Sequence, residues 1–194
     1  MKPLITIISG TNRPDSNTRK VAGLVQTLHT SAGAATCMLD LQELPAECFS
    51  PDGYARKPAE FQRQFADVVL ESDGLVIVTP EYNGSFPGVL KYFIDLLKFP
   101  ESFERRPVCF VGLAAGDWGA LRAVEQLQMI FGYRNAHIFP QRVFMPAVDD
   151  LLDEDGGHIM DAAMRERLEA QALGFQSFVL QLRARKNPTN AGDA

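Results

Sequence analysis

The feature that most restricts this chain is a repeated alternation of short, almost wholly apolar runs with stretches in which apolar residues recur every three or four positions. The apolar runs are Leu4–Ser9, Ala35–Asp40, 74–79, 108–113 and 136–140. Runs of this length with little polar alternation are strands covered on both faces, which is the condition of a parallel sheet. Between them, the spacing predicts helices over 17–29, 58–71, 87–97 and 120–130, and a last one over 159–184. In the first, Val21, Leu24, Val25 and Leu28 fall on one side, as a helix lying on a sheet requires. Pro58 and Pro87 suit first helical turns, where a missing N–H costs nothing. In the last, Met164, Leu168, Ala172, Phe175, Phe178, Val179 and Leu182 form the packing side.

Strands joined by helices in this order need right-handed crossovers, which leaves few topologies open. The expectation is an α/β fold: a flavodoxin-like three-layer α/β/α sandwich with a five-stranded parallel sheet of order 2-1-3-4-5. At 194 residues the chain suits one domain over 1–185, with a polar, disordered tail over 186–194. A net charge of -5 offers no general attraction for nucleic acid or anionic membrane. The apolar run at 4–8 is too short for a signal-peptide core, and no segment is long enough to span a bilayer. Cys37, Cys48 and Cys109 are odd in number and far apart, so reduced thiols in a cytoplasmic protein are expected.

The loop from Ser9 to Thr18 joins the first strand to the first helix. A helix N-terminus presents unpaired N–H groups and partial positive charge, and Arg13 adds a fork suited to phosphate or carboxylate. Ser16 and Asn17 are also good caps whether or not an anion is present, but capping needs no arginine. No P-loop pattern occurs, and the first turn has one glycine, which weakens a dinucleotide site. Asp40, at the end of the second strand, reads as a turn residue.

After the third strand, Pro80-Glu81-Tyr82-Asn83-Gly84-Ser85-Phe86-Pro87-Gly88 forms a rigid turn. Its prolines fix the backbone, and its glycines allow close approach to a flat ligand. A third loop, 112–120, follows the fourth strand and holds three glycines and Trp118, the one tryptophan. Trp118 itself reads as a core or subunit contact, and Gly116 and Gly119 as points of ligand approach. In strand order 2-1-3-4-5 the switch point lies between strands 1 and 3, where ligands of open α/β sheets bind. A ligand with a phosphate at one end and a flat heteroaromatic head at the other fits across those two loops, and FMN has that shape.

The residues resemble the NADPH-dependent FMN reductase family, a flavodoxin-like group that includes quinone, chromate and azo-dye reductases. Gly10, Thr11, Arg13 and Ser16 match its Gly-Thr-x-Arg-x-x-Ser phosphate loop, and 80–88 matches its Pro-Glu-Tyr-Asn motif. Many members have Asn where Thr18 stands and a second glycine where this chain has Ala120. The resemblance implies that Thr11, Arg13, Ser16 and Thr18 hold the phosphate, with Asn17 as a further donor. It assigns Pro80, Glu81, Tyr82, Asn83 and Gly84 to the isoalloxazine, and Ala115, Gly116 and Gly119 to its pyrimidine edge. It also implies a homodimer or homotetramer, in which the third helix around Val89, Phe93 and Leu97 packs against a partner.

The activity expected is hydride transfer from NADPH or NADH to FMN N5, then to a small acceptor such as a quinone, flavin, azo compound or metal oxyanion. The cofactor carries that chemistry, so no acid or base is assigned as catalytic. His29, His137 and His158 form no triad. The acidic run at 149–155 does not keep the calcium-loop register, because Leu151 and Ala162 fall where ligands are needed, and no metal is expected. The alternatives are a flavodoxin-type carrier of single electrons and a domain that uses the phosphate loop for another nucleotide.

Overall fold

A computed structural model describes residues 2–186. Its elements, in order, are β1 (Leu4–Ser9), α1 (Asn17–Ser31), β2 (Ala35–Asp40), α2 (Ala59–Phe61), α3 (Asp67–Glu71), β3 (Gly74–Pro80), α4 (Gly88–Leu96), β4 (Pro107–Leu113), α5 (Leu121–Tyr133), β5 (His137–Ile138), β6 (Val143–Met145), α6 (Val148–Leu151) and α7 (Ala162–Lys186). A π-helical turn, Gln62–Ala66, joins α2 to α3. The strands run in the order β2-β1-β3-β4-β5, all parallel, with β6 also on β4.

Successive strand residues face opposite layers. Ile5 and Ile7 of β1 and Val76 and Val78 of β3 pack under α1 and α7, against Val21, Val25, Phe175 and Val179. Ile8, Leu75 and Ile77 face the other way, toward Phe61, Phe65, Leu90, Phe93, Leu127 and Phe131. Gly74 sits where α7 crosses closest: a Cβ there would lie 2.8 Å from Val179 Cγ2.

The fifth strand position departs from the expected 136–140. Only His137–Ile138 pairs with the start of β4, and a separate strand, Val143–Met145, pairs with its end. Pro140 interrupts the run; with no N–H, it cannot continue a ladder. The carbonyl of Phe110 in β4, left without a strand partner at the gap, accepts from the buried Gln171 side chain at 3.0 Å, and Gln141 accepts from the same amide at 2.9 Å. α7 therefore repairs the sheet as well as covering it.

The expected final helix starts later, at Ala162, and runs through Lys186. The tail expected over 186–194 otherwise lies outside the described residues. Among the described residues no helix is long and apolar enough to cross a membrane, and no group of three or more His, Cys, Asp or Glu side chains is placed to hold a metal ion. The three cysteines are free thiols; Cys109 lies wholly inside the sheet layer, where burial raises its pKa far above the usual thiol value.

One expectation fails on packing grounds. Phe93 and Leu97 are buried in the chain's own core beneath α4, so they are not free to meet a partner subunit. Val89 is only partly buried against the same cluster.

Candidate active site

The β1 to α1 loop is held tightly at its start. Gly10 donates to Val78 O at 2.8 Å, and a Cβ on Gly10 would stand 2.8 Å from the same oxygen. This close approach of β1 to β3 at the switch point is what requires glycine. Beyond it, Thr11 is 1 % exposed; its hydroxyl lies 3.0 Å from Tyr82 Oη and accepts from the Arg13 amide at 3.2 Å. Thr11 thus ties the first loop to the second. Ser16 caps α1 by accepting from Arg19 N, leaving the first-turn amides of Asn17 and Thr18 without intrahelical acceptors.

The second loop is a tight hairpin. Tyr82 donates to Ser85 O at 2.8 Å, and Ser85 returns the bond at 3.1 Å. The central residues Asn83 and Gly84 have φ of 53° and 75°, the left-handed pair of a type I′ turn, which Asn-Gly favours. α5 fixes the turn from behind: Ser85 Oγ donates to Gln126 Oε1 at 2.6 Å, and Gln126 Nε2 donates to Gly84 O at 3.4 Å. The third loop is laced to the chain after β6, with Ala114 N on Met145 O, Ala147 N on Gly116 O and Val148 N on Ala114 O.

These loops enclose two adjoining spaces at the carboxyl ends of the strands. The larger, about 560 Å³, is lined by Arg13 to Thr18, by Pro80 to Tyr82 and by Ala115 and Asp149 among others. The smaller, about 230 Å³, lies between Asn83-Gly84 and Ala115-Gly116, with Trp118 at its rim. Glu81, Ala114 and Ala115 border both, and Glu81 Oε2 is buried without a hydrogen-bond partner.

Most of the residues singled out in the sequence meet here. Arg13, Ser16, Asn17, Thr18, Pro80, Glu81, Tyr82 and Ala115 line the larger space, and Asn83, Gly84 and Gly116 the smaller. Thr11 and Gly119 line neither. Gly119, at φ 55°, is pressed against Met145 and Pro146, where a Cβ would meet Met145 N at 2.9 Å. Its neighbour Ala120 also adopts a left-handed conformation, φ 67°, at a cost of about 1 kcal/mol that a glycine avoids.

Asp149 was legible only as part of an acidic run. In the structure it reaches the phosphate loop, accepting from Asn17 Nδ2 at 2.6 Å, so one donor of Asn17 is already engaged. Arg13 is the single basic side chain among the residues lining the larger space, against Asp15, Glu81 and Asp149. Asp40 pairs with Arg19 at 2.9 Å and caps the following turn. A further cavity of about 320 Å³ lies at the opposite ends of the strands around Asp73, Arg106 and Arg183. Of its charged side chains, Arg183 pairs with Asp73 and Arg106 donates to the carbonyls of Ser72, Leu70 and Ser102.

Known proteins share this fold. The solved structure of FerB, a flavoenzyme NAD(P)H:(acceptor) oxidoreductase from Paracoccus denitrificans, has the same fold, with a TM-score of 0.78 at 22% identity, covering 92% of this chain and 98% of that one. A flavodoxin from Streptococcus pneumoniae superposes less closely, with a TM-score of 0.60 at 17% identity over 90% of this chain and 97% of its own. In sequence, a quinone reductase of Pseudomonas putida is 32% identical over 186 residues, 93% of this chain and 96% of that protein. An NAD(P)H-dependent FMN reductase of Pseudomonas aeruginosa is 28% identical over 154 residues, 78% of this chain and 82% of its own. The model of the NADPH-dependent FMN reductase family matches residues 3–149, a span that takes in all three loops and every residue of both cavities. With that match and a relative of this identity along nearly the whole length, the chain belongs to the NADPH-dependent FMN reductase family.

Proposed function

We propose that FMN lies across the switch point, its phosphate on Arg13, Ser16, Asn17 and Thr18 and its ring against Pro80 to Gly84, Ala115 and Gly116. As a member of its family the protein is an NAD(P)H-dependent, FMN-containing oxidoreductase. A bound flavin would supply the two-electron redox chemistry between NAD(P)H and an acceptor. The chain's own residues bind and orient. Arg13 and the first-turn amides of α1 neutralise the phosphate. The Asn83-Gly84 turn, braced by Gln126, keeps a rigid backbone edge toward the ring. Glu81 offers its unpaired carboxylate oxygen as an acceptor for a ring N–H.

The observation that supports this reading most is the pairing of spaces: one with a lone arginine at a helix N-terminus, the other walled by a rigid glycine-bearing turn, joined at Glu81. Quinones, flavins, azo compounds and metal oxyanions are the acceptor classes proposed, with the enzyme acting in the cytoplasm as a homodimer or homotetramer. FMN titration followed by absorbance, with Arg13→Ala alongside, tests the seat. Losing a charged hydrogen bond should weaken binding by roughly 1.5 to 3 kcal/mol, about ten- to a hundredfold. Stopped-flow mixing of the FMN-loaded protein with NADPH or NADH tests the activity; absence of flavin bleaching on a catalytic timescale refutes it.

A further inference from the structure

Thr11 belongs to the phosphate-loop pattern, yet its side chain does not open onto the phosphate seat. It is 1 % exposed and borders neither space, whereas Arg13 to Thr18 and Tyr82 line the larger one. A hydroxyl has one proton and two lone pairs. One lone pair of Thr11 Oγ1 accepts from the Arg13 amide at 3.2 Å, and Tyr82 Oη, 3.0 Å away, takes either the proton or the second lone pair. The backbone beside it is fixed against β3, where Gly10 N donates to Val78 O and leaves no room even for a Cβ.

Tyr82 is the opposite case. The exchange with Ser85 sets its backbone, but its side chain is only partly buried and lines the larger space. Among the described residues its hydroxyl bonds to Thr11 alone. An aromatic side chain at a cleft wall can change rotamer unless its far end is held, and the buried Thr11 is what holds it.

The geometry points to Thr11 as a positioning residue for the flavin ring and not a ligand of the phosphate: anchored on the end of β1, it keeps the Tyr82 phenol in the conformation that receives the ring. It acts through Tyr82 and touches neither cofactor nor substrate. The assignment rests on the FMN seat proposed above and divides the first loop between two tasks, with Arg13, Ser16, Asn17 and Thr18 on the phosphate and Thr11 on the ring.

FMN and riboflavin, which has the same ring and no phosphate, separate the two roles. Affinities are read by fluorescence titration of each flavin with the full chain, as wild type, Thr11→Val, Thr11→Ser, Tyr82→Phe and the Thr11→Val, Tyr82→Phe double variant. Thr11→Val and Tyr82→Phe should each weaken both flavins by the same factor, about two- to tenfold for one hydrogen bond. The double variant should bind no more weakly than either single one, because the two hydroxyls act as a unit. Thr11→Ser keeps the hydroxyl and should stay within about twofold of wild type. The visible circular dichroism of bound flavin should change alike in Thr11→Val and Tyr82→Phe and stay as in wild type for Thr11→Ser; a loss of stability alone would not move this ring signal.

If Thr11→Val weakens FMN about tenfold or more and leaves riboflavin unaffected, Thr11 is a phosphate ligand and the inference is overturned. Additive losses in the double variant overturn it too. So does unchanged riboflavin affinity in Tyr82→Phe, a variant that removes one oxygen from a partly buried ring and decides the matter even if Thr11→Val does not fold. FMN binding with no detectable riboflavin binding would mean that the ring contacts carry too little affinity for Tyr82 to matter, which also overturns it. Failure of both flavins to bind the wild type refutes the cofactor seat itself, and the role of Thr11 falls with it.

Discussion

His29 closes the last turn of α1 and is 2 % exposed. Its ring meets Phe175 edge-on at 6.1 Å, and Gln176 Nε2 lies 3.3 Å from Nδ1 while donating to His29 O at 2.9 Å. Burial lowers its pKa from 6.5 to about 4. The fold therefore holds neutral imidazole, and below pH 6.5 the unfolded chain takes up a proton that the folded one refuses. Stability from this site is complete above pH 6.5 and is lost as the pH falls toward 4. With the two values above, linkage gives a loss of about 1.4 kcal/mol at pH 5.5 and about 2.6 kcal/mol at pH 4.5. Urea unfolding at pH 7.5, 5.5 and 4.5, for wild type and for His29→Gln, isolates it, because other titrating groups are common to both. The wild type should lose those amounts relative to the variant as the pH drops. Parallel stability profiles for the two proteins would refute the assignment of a neutral, buried His29 joining α1 to α7.

Two other substitutions probe the sheet repair and the electrostatics of the cleft. Gln171→Leu keeps volume but removes the donor shared by Phe110 O and Gln141 O. It should cost about 2 to 3 kcal/mol in urea unfolding for two acceptors left unpaired; a loss under about 0.5 kcal/mol would mean that β4 does not need it. Asp149→Asn removes one of the three acids that share the larger space with Arg13. FMN affinity at low salt should rise about two- to fivefold, and the gain should fade at high salt; weaker binding would show that the carboxylate positions Asn17 more than it repels phosphate.

Much of the site was legible because its chemistry is local. Asn83-Gly84 encodes its turn by itself, since only such a pair sits easily at two consecutive left-handed positions. Arg13 before a capped helix encodes an anion seat in the same way. The long-range pieces were not legible. The hydroxyl contact of Thr11 with Tyr82, the brace from Gln126 and the arrival of Asp149 beside Asn17 join residues 71, 41 and 132 positions apart. No local spacing encodes such pairs. Gly119 shows the converse error: glycine signals close approach, but what approaches it here is the chain's own Met145 and Pro146.

The alternation of apolar runs by itself determined the layered parallel sheet and narrowed its strand order to a few topologies, because burial on both faces and right-handed crossovers leave little freedom. It also placed the loops that bear Arg13 and Asn83-Gly84 at one end of that sheet. Only tertiary packing decided that Pro140 splits the fifth strand position for α7 to mend. It decided too that Phe93 and Leu97 turn inward, away from any partner, and that Trp118 stands exposed over a second small space. Periodicity reports which residues seek burial, whereas their partners, and the spaces left between them, are fixed only when distant segments meet.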